Sequence, residues 1–186
     1  MKKIFKGLLV IIMLLAFNIN VKAVTITTDN TKQGTTDTNS YLVTNTGVLS
    51  IRETVDKFNA YKIINYYYNS TTDTLNYEFT CEFKTFLETT NEYKDLTISD
   101  YQELTSGNTY NGSNQTDSTL DALVSKYALY VSELERQARL NSTDKIGESL
   151  TTISDEKRAY ASLKVGSYLI LEDFDSNYNS ANIVTT

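Results

Sequence analysis

Phe58–Thr80, FNAYKIINYYYNSTTDTLNYEFT, is the stretch on which the fold turns. Phe58–Tyr68 is dense in aromatic and β-branched residues, which suit a pleated, half-buried surface. Asn69–Asp73 is a run of turn formers whose short side chains bond their own backbone. Beyond it Leu75, Tyr77 and Phe79 alternate with Asn76, Glu78 and Thr80, a strand with one apolar and one wet face. The reading is a β-hairpin. Such a hairpin is not stable alone in water, so the rest of the chain must supply its sheet partners and its cover.

The opening of the chain has a different purpose. Lys2, Lys3 and Lys6 precede an apolar run, Gly7–Phe17, and Val21-Lys22-Ala23 is a small-residue cleavage pattern. Residues 1–23 therefore read as a secretory signal peptide, the apolar run being too short for a spanning helix. Loss of its four lysines takes the formal charge from −6 to −10. An acidic chain repels phosphate backbones, which argues against a nucleic-acid partner. The single cysteine, Cys81, excludes an intrachain disulfide framework even though an exported chain would allow one.

Outward from the hairpin, residues 24–46 are rich in Thr, Asn and Asp and read as an extended polar leader that docks loosely, with short strands at Val24–Thr27 and Tyr41–Val43. Gly47–Ile51 is the first firm strand. After the hairpin, Phe83, Phe86 and Leu87 predict a short helix near 82–88, and Ser99 followed by acids predicts another over 99–105. Leu120, Leu123, Val124, Tyr127, Ala128, Val131, Leu134 and Ala138 recur at helical spacing, so a long helix with one buried stripe is expected over 119–140, capped by Asp117 or Ser118. Leu150–Ile153 reads as a short strand. Ala159–Glu172 reads as a second hairpin turning at Lys164-Val165-Gly166, with Gly166 free to take a positive φ. The expected fold class is α+β, mainly a β-sandwich or partial barrel carrying a helical insertion.

Two stretches resemble one family. GVLSI (47–51) followed by AYKI, the Tyr/Asn/Thr hairpin and FKTFL (58–87) looks like the amino-terminal domain of Gram-positive sortase-assembled pilin subunits. SLKVGSYLILED (162–173) resembles the late L-x-x-G-x-Y-L-x-x-E segment of collagen-adhesin B-type, immunoglobulin-like domains. The resemblance spans roughly Gly47–Asp173. It implies a non-catalytic structural subunit of a pilus or wall-anchored adhesin, exported to the cell surface or cell wall of a Gram-positive bacterium. Its implied partners are other pilin subunits and a sortase, where the full-length chain carries sorting signals, and a host surface protein or glycan.

Family domains often hold a self-formed Lys–Asn isopeptide bond promoted by a buried acid. The resemblance places Glu172 at the promoter position, and Lys62 is the candidate lysine because it alternates onto the face of Phe58, Ala60 and Ile64. A desolvated lysine loses its charge, a neighbouring carboxyl group shuttles protons, and the amine attacks a carboxamide. The acceptor asparagine belongs to a final strand, which is not distinct beyond Phe174. The chain has no proline, so it lacks the Tyr-Pro-Lys motif that donates the inter-subunit lysine, and no LPxTG-like signal is visible. Residues 47–186 are expected to be a pilin-like domain truncated at its C-terminal end, and the missing motifs fit a divergent, non-polymerising relative equally well.

Other readings compete. A plain strand lysine, with its stem on apolar surface and its amine in water, is the favoured reading of Lys62 over a bond-forming nucleophile. Cys81 is expected to be a small half-buried residue or an incidental thiol, with no histidine in the chain to activate it. Tyr66–Tyr68 offers flat faces for sugar stacking, or merely splits between core and surface. Glu172–Asn177 carries hard oxygen donors but lacks the EF-hand spacing, so a turn is expected rather than calcium. Asn69, Asn111, Asn114 and Asn141 head Asn-x-Ser/Thr triplets that matter only in a glycosylating secretory route. No cofactor, metal or enzymatic site is expected: histidine is absent and none of the seven glycines forms a phosphate loop. The alternative function is a stand-alone secreted module binding glycan or protein.

Overall fold

The computed structural model describes residues 25–35, 38–52, 54, 56–106, 118–143, 145–172 and 181–185. In chain order the elements are β1 (Thr28–Gln33), β2 (Ser40–Val43), β3 (Thr46–Arg52), β4 (Phe58–Asn69), β5 (Thr74–Phe79), α1 (Cys81–Thr89), α2 (Ile98–Ser106) and α3 (Ser118–Asn141), followed by β6 (Glu148–Ser149), β7 (Thr151–Ile153), β8 (Arg158–Lys164), β9 (Gly166–Glu172) and β10 (Ala181–Thr185). The expected signal peptide, the caps at Asp117, and Asn111, Asn114 and 173–177 lie outside the described residues.

Twelve-residue β4 is the spine. Ile64 and Asn65 are paired on both sides, with Phe79 and Glu78 of β5 and with Ser167 and Gly166 of β9. Asn59 and Ala60 are likewise held by β9 and β6, and Tyr67–Asn69 by β5 and β2. One edge of β4 thus takes β9 and then β2, while the other takes β6 and then β5. β10 extends the sheet beyond β9, and β1 extends it beyond β2. A second sheet, ordered β3-β8-β7, packs against one face of the first. All pairings are antiparallel, and the fold is α+β, a curled sheet covered by helices on one face and by a small sheet on the other.

Two apolar clusters record this layering. On the helical side Tyr61, Ile63, Leu169 and Leu171 meet Phe83, Phe86, Leu123, Tyr127 and Val131. Phe83 and Tyr127 stand edge to face with centroids 4.7 Å apart, a favoured aromatic geometry. On the other side Phe58, Ala60, Tyr168 and Ile170 meet Ala159 and Leu163 of β8, with Leu49 and Ile51 of β3 closing the edge. Strand β9 therefore needs cover on both faces, which its unbroken apolar run Tyr168–Leu171 anticipates.

All three helices fall where the periodicity puts them. α1 is capped by Thr80, whose Oγ1 accepts the Phe83 amide at 3.3 Å. α2 starts one residue before the expected cap, Ser99. Thr97 and Asp100 form the reciprocal pair instead, the Asp100 amide donating to Thr97 Oγ1 and the Thr97 amide to Asp100 Oδ2. α3 closes with Ser142 in the left-handed region (φ 54°), its amide bonded to Arg139 O and that of Thr143 to Ala138 O.

Four expectations are corrected. Residues 24–46 are not a loose leader: β2 pairs with Tyr67–Asn69, and Leu42 and Val43 are buried. The early strand is Thr28–Gln33, and Thr25–Thr27 of the expected one precede it outside any strand, Val24 lying outside the described residues. Ala159–Glu172 is not a hairpin, because β8 belongs to the small sheet and β9 to the large one. The chain changes sheets at Lys164–Gly166, where the Val165 amide donates to Asn45 O at 2.9 Å. Gly166 is not left-handed either. A Cβ there would lie 2.5 Å from Cε of Lys62 and 2.6 Å from the Ile64 carbonyl oxygen, so the glycine serves a close approach.

Candidate functional site around Lys62

The register between β4 and β9 slips at Ile63. Lys62 faces Tyr168, Ile64 faces Ser167, and Ile63 is the extra residue of a bulge. The consequence decides the face of Ile64, not that of Lys62. Lys62 stays with Phe58 and Ala60 toward the small sheet, while Ile63 and Ile64 both join the helical cluster. The expectation that Lys62 shares a face with Ile64 therefore fails, because a bulge interrupts simple alternation.

Lys62 is half-buried, with its ammonium 5.7 Å from the centroid of the Tyr168 ring. Its stem lies against the backbone of Gly166. Burial is the main cause that lowers its pKa to about 8, repulsion by Lys164 adds to this, and Glu148 opposes it. Tyr168, wholly buried, donates its hydroxyl to Lys164 O at 2.6 Å, and burial followed by the Glu148 charge pushes its ionisation upward. The site is an amine with an appreciable neutral fraction just above neutral pH, on an aromatic floor.

The carboxylate that acts on Lys62 is Glu148, which β6 sets opposite Ala60. Glu172 sits opposite Phe58, four residues along β9 from Tyr168, the partner of Lys62. Four strand residues span about 13 Å, so the register does not bring Glu172 and Lys62 together. A final strand does exist. β10 places Asn182 opposite Ile170, but β9 runs between β10 and β4, leaving two strand spacings, about 10 Å, between them. Glu148 was missed in the sequence because only the pairing of two-residue β6 with β4 makes it a neighbour of Lys62.

The remaining candidates settle into structural places. Tyr66 packs edge to face on Tyr77 at 4.9 Å and Tyr68 donates to Asp73 at 2.8 Å, so the tyrosine run is engaged within the hairpin. Asn69 is buried and its Oδ1 accepts the Thr71 and Thr72 amides, while Asn141 is exposed at the end of α3. Cys81 is exposed, which removes the half-buried reading and leaves that of an incidental thiol. Among the described residues no three His, Cys, Asp or Glu side chains gather to hold a metal, and no helix is long and apolar enough to cross a membrane.

No protein-family model matches this chain, and no curated protein matches it.

Proposed function

We propose that the chain is the amino-terminal domain of a bacterial surface-fibre subunit, a pilin or a wall-anchored adhesin, acting by stacking and presentation rather than by catalysis. The supporting observation is the placement of the motif-bearing segments. GVLSI is β3, AYKI lies on β4, FKTFL on α1, and KVGSYLILE forms the sheet-switching corner and β9. Strand, hairpin, helix and late strand thus occur in the order on which the resemblance rests, and the two packed sheets are compatible with a β-sandwich or partial barrel.

The lateral pairing of the outer strands adds support in a mechanical sense. β1 and β10, the first and last described strands, are bonded laterally into the large sheet. Tension along either strand would strain a row of backbone hydrogen bonds together instead of opening them one at a time. In this reading the partners are further subunits and a sortase, and the location is the cell wall of a Gram-positive bacterium.

The test is an immunoblot of wall fractions from the source cells with serum against residues 24–186. A ladder of SDS-resistant polymers is expected. Signal confined to a monomer in the culture medium would overturn the fibre reading.

A further inference from the structure

The outer face of the small sheet carries a charge arrangement that folding does not explain. Its register sets Arg52 of β3 directly opposite Arg158 of β8. Leu49, Ile51, Ala159 and Leu163 are the inward residues of these strands, so the two arginines share the outward face. Like charges in a direct cross-strand pair are destabilising. They sit in a chain whose net charge is −6.

Arg158 spans two environments. One terminal nitrogen reaches Glu156 at 2.8 Å and the guanidinium lies 5.3 Å from the centroid of the Tyr160 ring. Its Nε is buried without a hydrogen-bond partner. Arg52 is exposed and enters none of the ion pairs among the described residues. Along the same face Ser50 is opposite Tyr160, and Lys164 at the far end adds another cation. The turn between β7 and β8 holds Asp155, Glu156 and Lys157, so the positive excess belongs to the strands themselves.

We propose that this face binds a carboxylate-bearing oligosaccharide, with Arg52 and Arg158 converging on one carboxylate and Tyr160 and Ser50 meeting the adjoining sugar. Guanidinium groups present planar donor pairs that match a carboxylate, and a tyrosine ring offers an apolar surface with a polar tip. Size favours a glycan over a protein. Three strands of up to seven residues cover roughly 300 Å², against about 800 Å² per partner in an ordinary protein interface. The only exposed large apolar side chain on that face of β3 is Val48, too little for an apolar anchor. The inference is independent of the fibre reading, since a monomer would bind equally.

The test is titration of the exported chain with hexagalacturonate, maltohexaose and hexaglutamate. Hexagalacturonate should bind, more weakly as salt rises, and maltohexaose should not. Arg52→Gln and Arg158→Gln should each weaken binding about tenfold or more, the order expected for a lost charge-assisted contact. Lys94→Gln, in the turn between α1 and α2, should leave binding unchanged. Should Arg158→Gln unfold, Arg52→Gln still decides, because relieving the like-charge pair should hold or raise the Tm while binding falls. Absence of hexagalacturonate binding, equal binding of maltohexaose, or wild-type binding by Arg52→Gln would overturn the proposal. Equal binding of hexaglutamate would also overturn it and point to an acidic peptide.

Discussion

The carboxylate of Glu135 accepts the backbone amide of Gly147 at 2.8 Å and that of Ile146 at 3.2 Å, tying the end of α3 to the approach to β6. Glu135 is buried on the helix stripe that otherwise reads as apolar. Removing a buried acceptor leaves its donors unsatisfied. Glu135→Ala should therefore cost about 2–4 kcal/mol, whereas Glu135→Gln, which keeps an acceptor oxygen, should cost about 1 kcal/mol. Urea unfolding of both variants checks this. Equal losses would show that the contact is incidental.

Gly166 offers a second test of close packing. Gly166→Ala should destabilise by about 1–3 kcal/mol through overpacking. Lys62→Ala removes one of the two obstructing groups but not the Ile64 carbonyl, so the double variant should recover part of the loss and not all of it. Full recovery would show that only the lysine side chain resists.

Tyr101 and Ser167 fasten α2 to β9 through hydroxyl oxygens 2.7 Å apart, both residues being buried. Tyr101→Phe keeps the ring and orphans the serine, so a loss of about 1–2 kcal/mol is expected, with the far-ultraviolet spectrum unchanged. A variant as stable as the parent would mean that Ser167 finds another partner.

Lys62 sets a pH dependence whose sign is definite. Its folded pKa, about 8, lies below the ordinary 10.5, so the unfolded chain binds the proton more tightly. Between these values the unfolded state holds more protons, and stability contributed by this group rises with pH. Below about pH 8 both states are charged and the penalty is present in full. Relative to Lys62→Met, the parent should gain stability from pH 8 to 9.5, measured by denaturant unfolding at each pH. A parallel or falling difference would show that Lys62 is not desolvated.

The same geometry bears on cross-linking. With Glu172 and Asn182 both set apart from Lys62 by the strand register, the exported chain should have its full mass. An intact mass one ammonia short, restored by Lys62→Ala, would show that the strands rearrange to form the bond.

Local pattern was enough to reveal the elements. The hairpin of β4 and β5, the three helices and the apolar stripe of α3 follow from alternation, helical spacing and turn formers, each of which involves neighbours within a few residues. Thr97 was missed as a cap because Ser99 is the same kind of signal two positions on, and the choice rests on which hydroxyl meets a free amide.

Which strands pair was decided by the tertiary structure. Arg158–Lys164 and Gly166–Glu172 look like a hairpin, and a hairpin would have satisfied their backbones locally. They part because β9 is apolar on both faces and is buried only in the middle layer, while β8 alternates and can face water. The pairing of β6 with β4 sets Lys62 near Glu148 rather than Glu172, the bulge at Ile63 takes Ile64 to the other face, and the pairing of β3 with β8 sets Arg52 opposite Arg158. The amino-acid order contains the residues of both sites. Their meeting depends on long-range register, which burial of the whole sheet selects and no short window of the chain records.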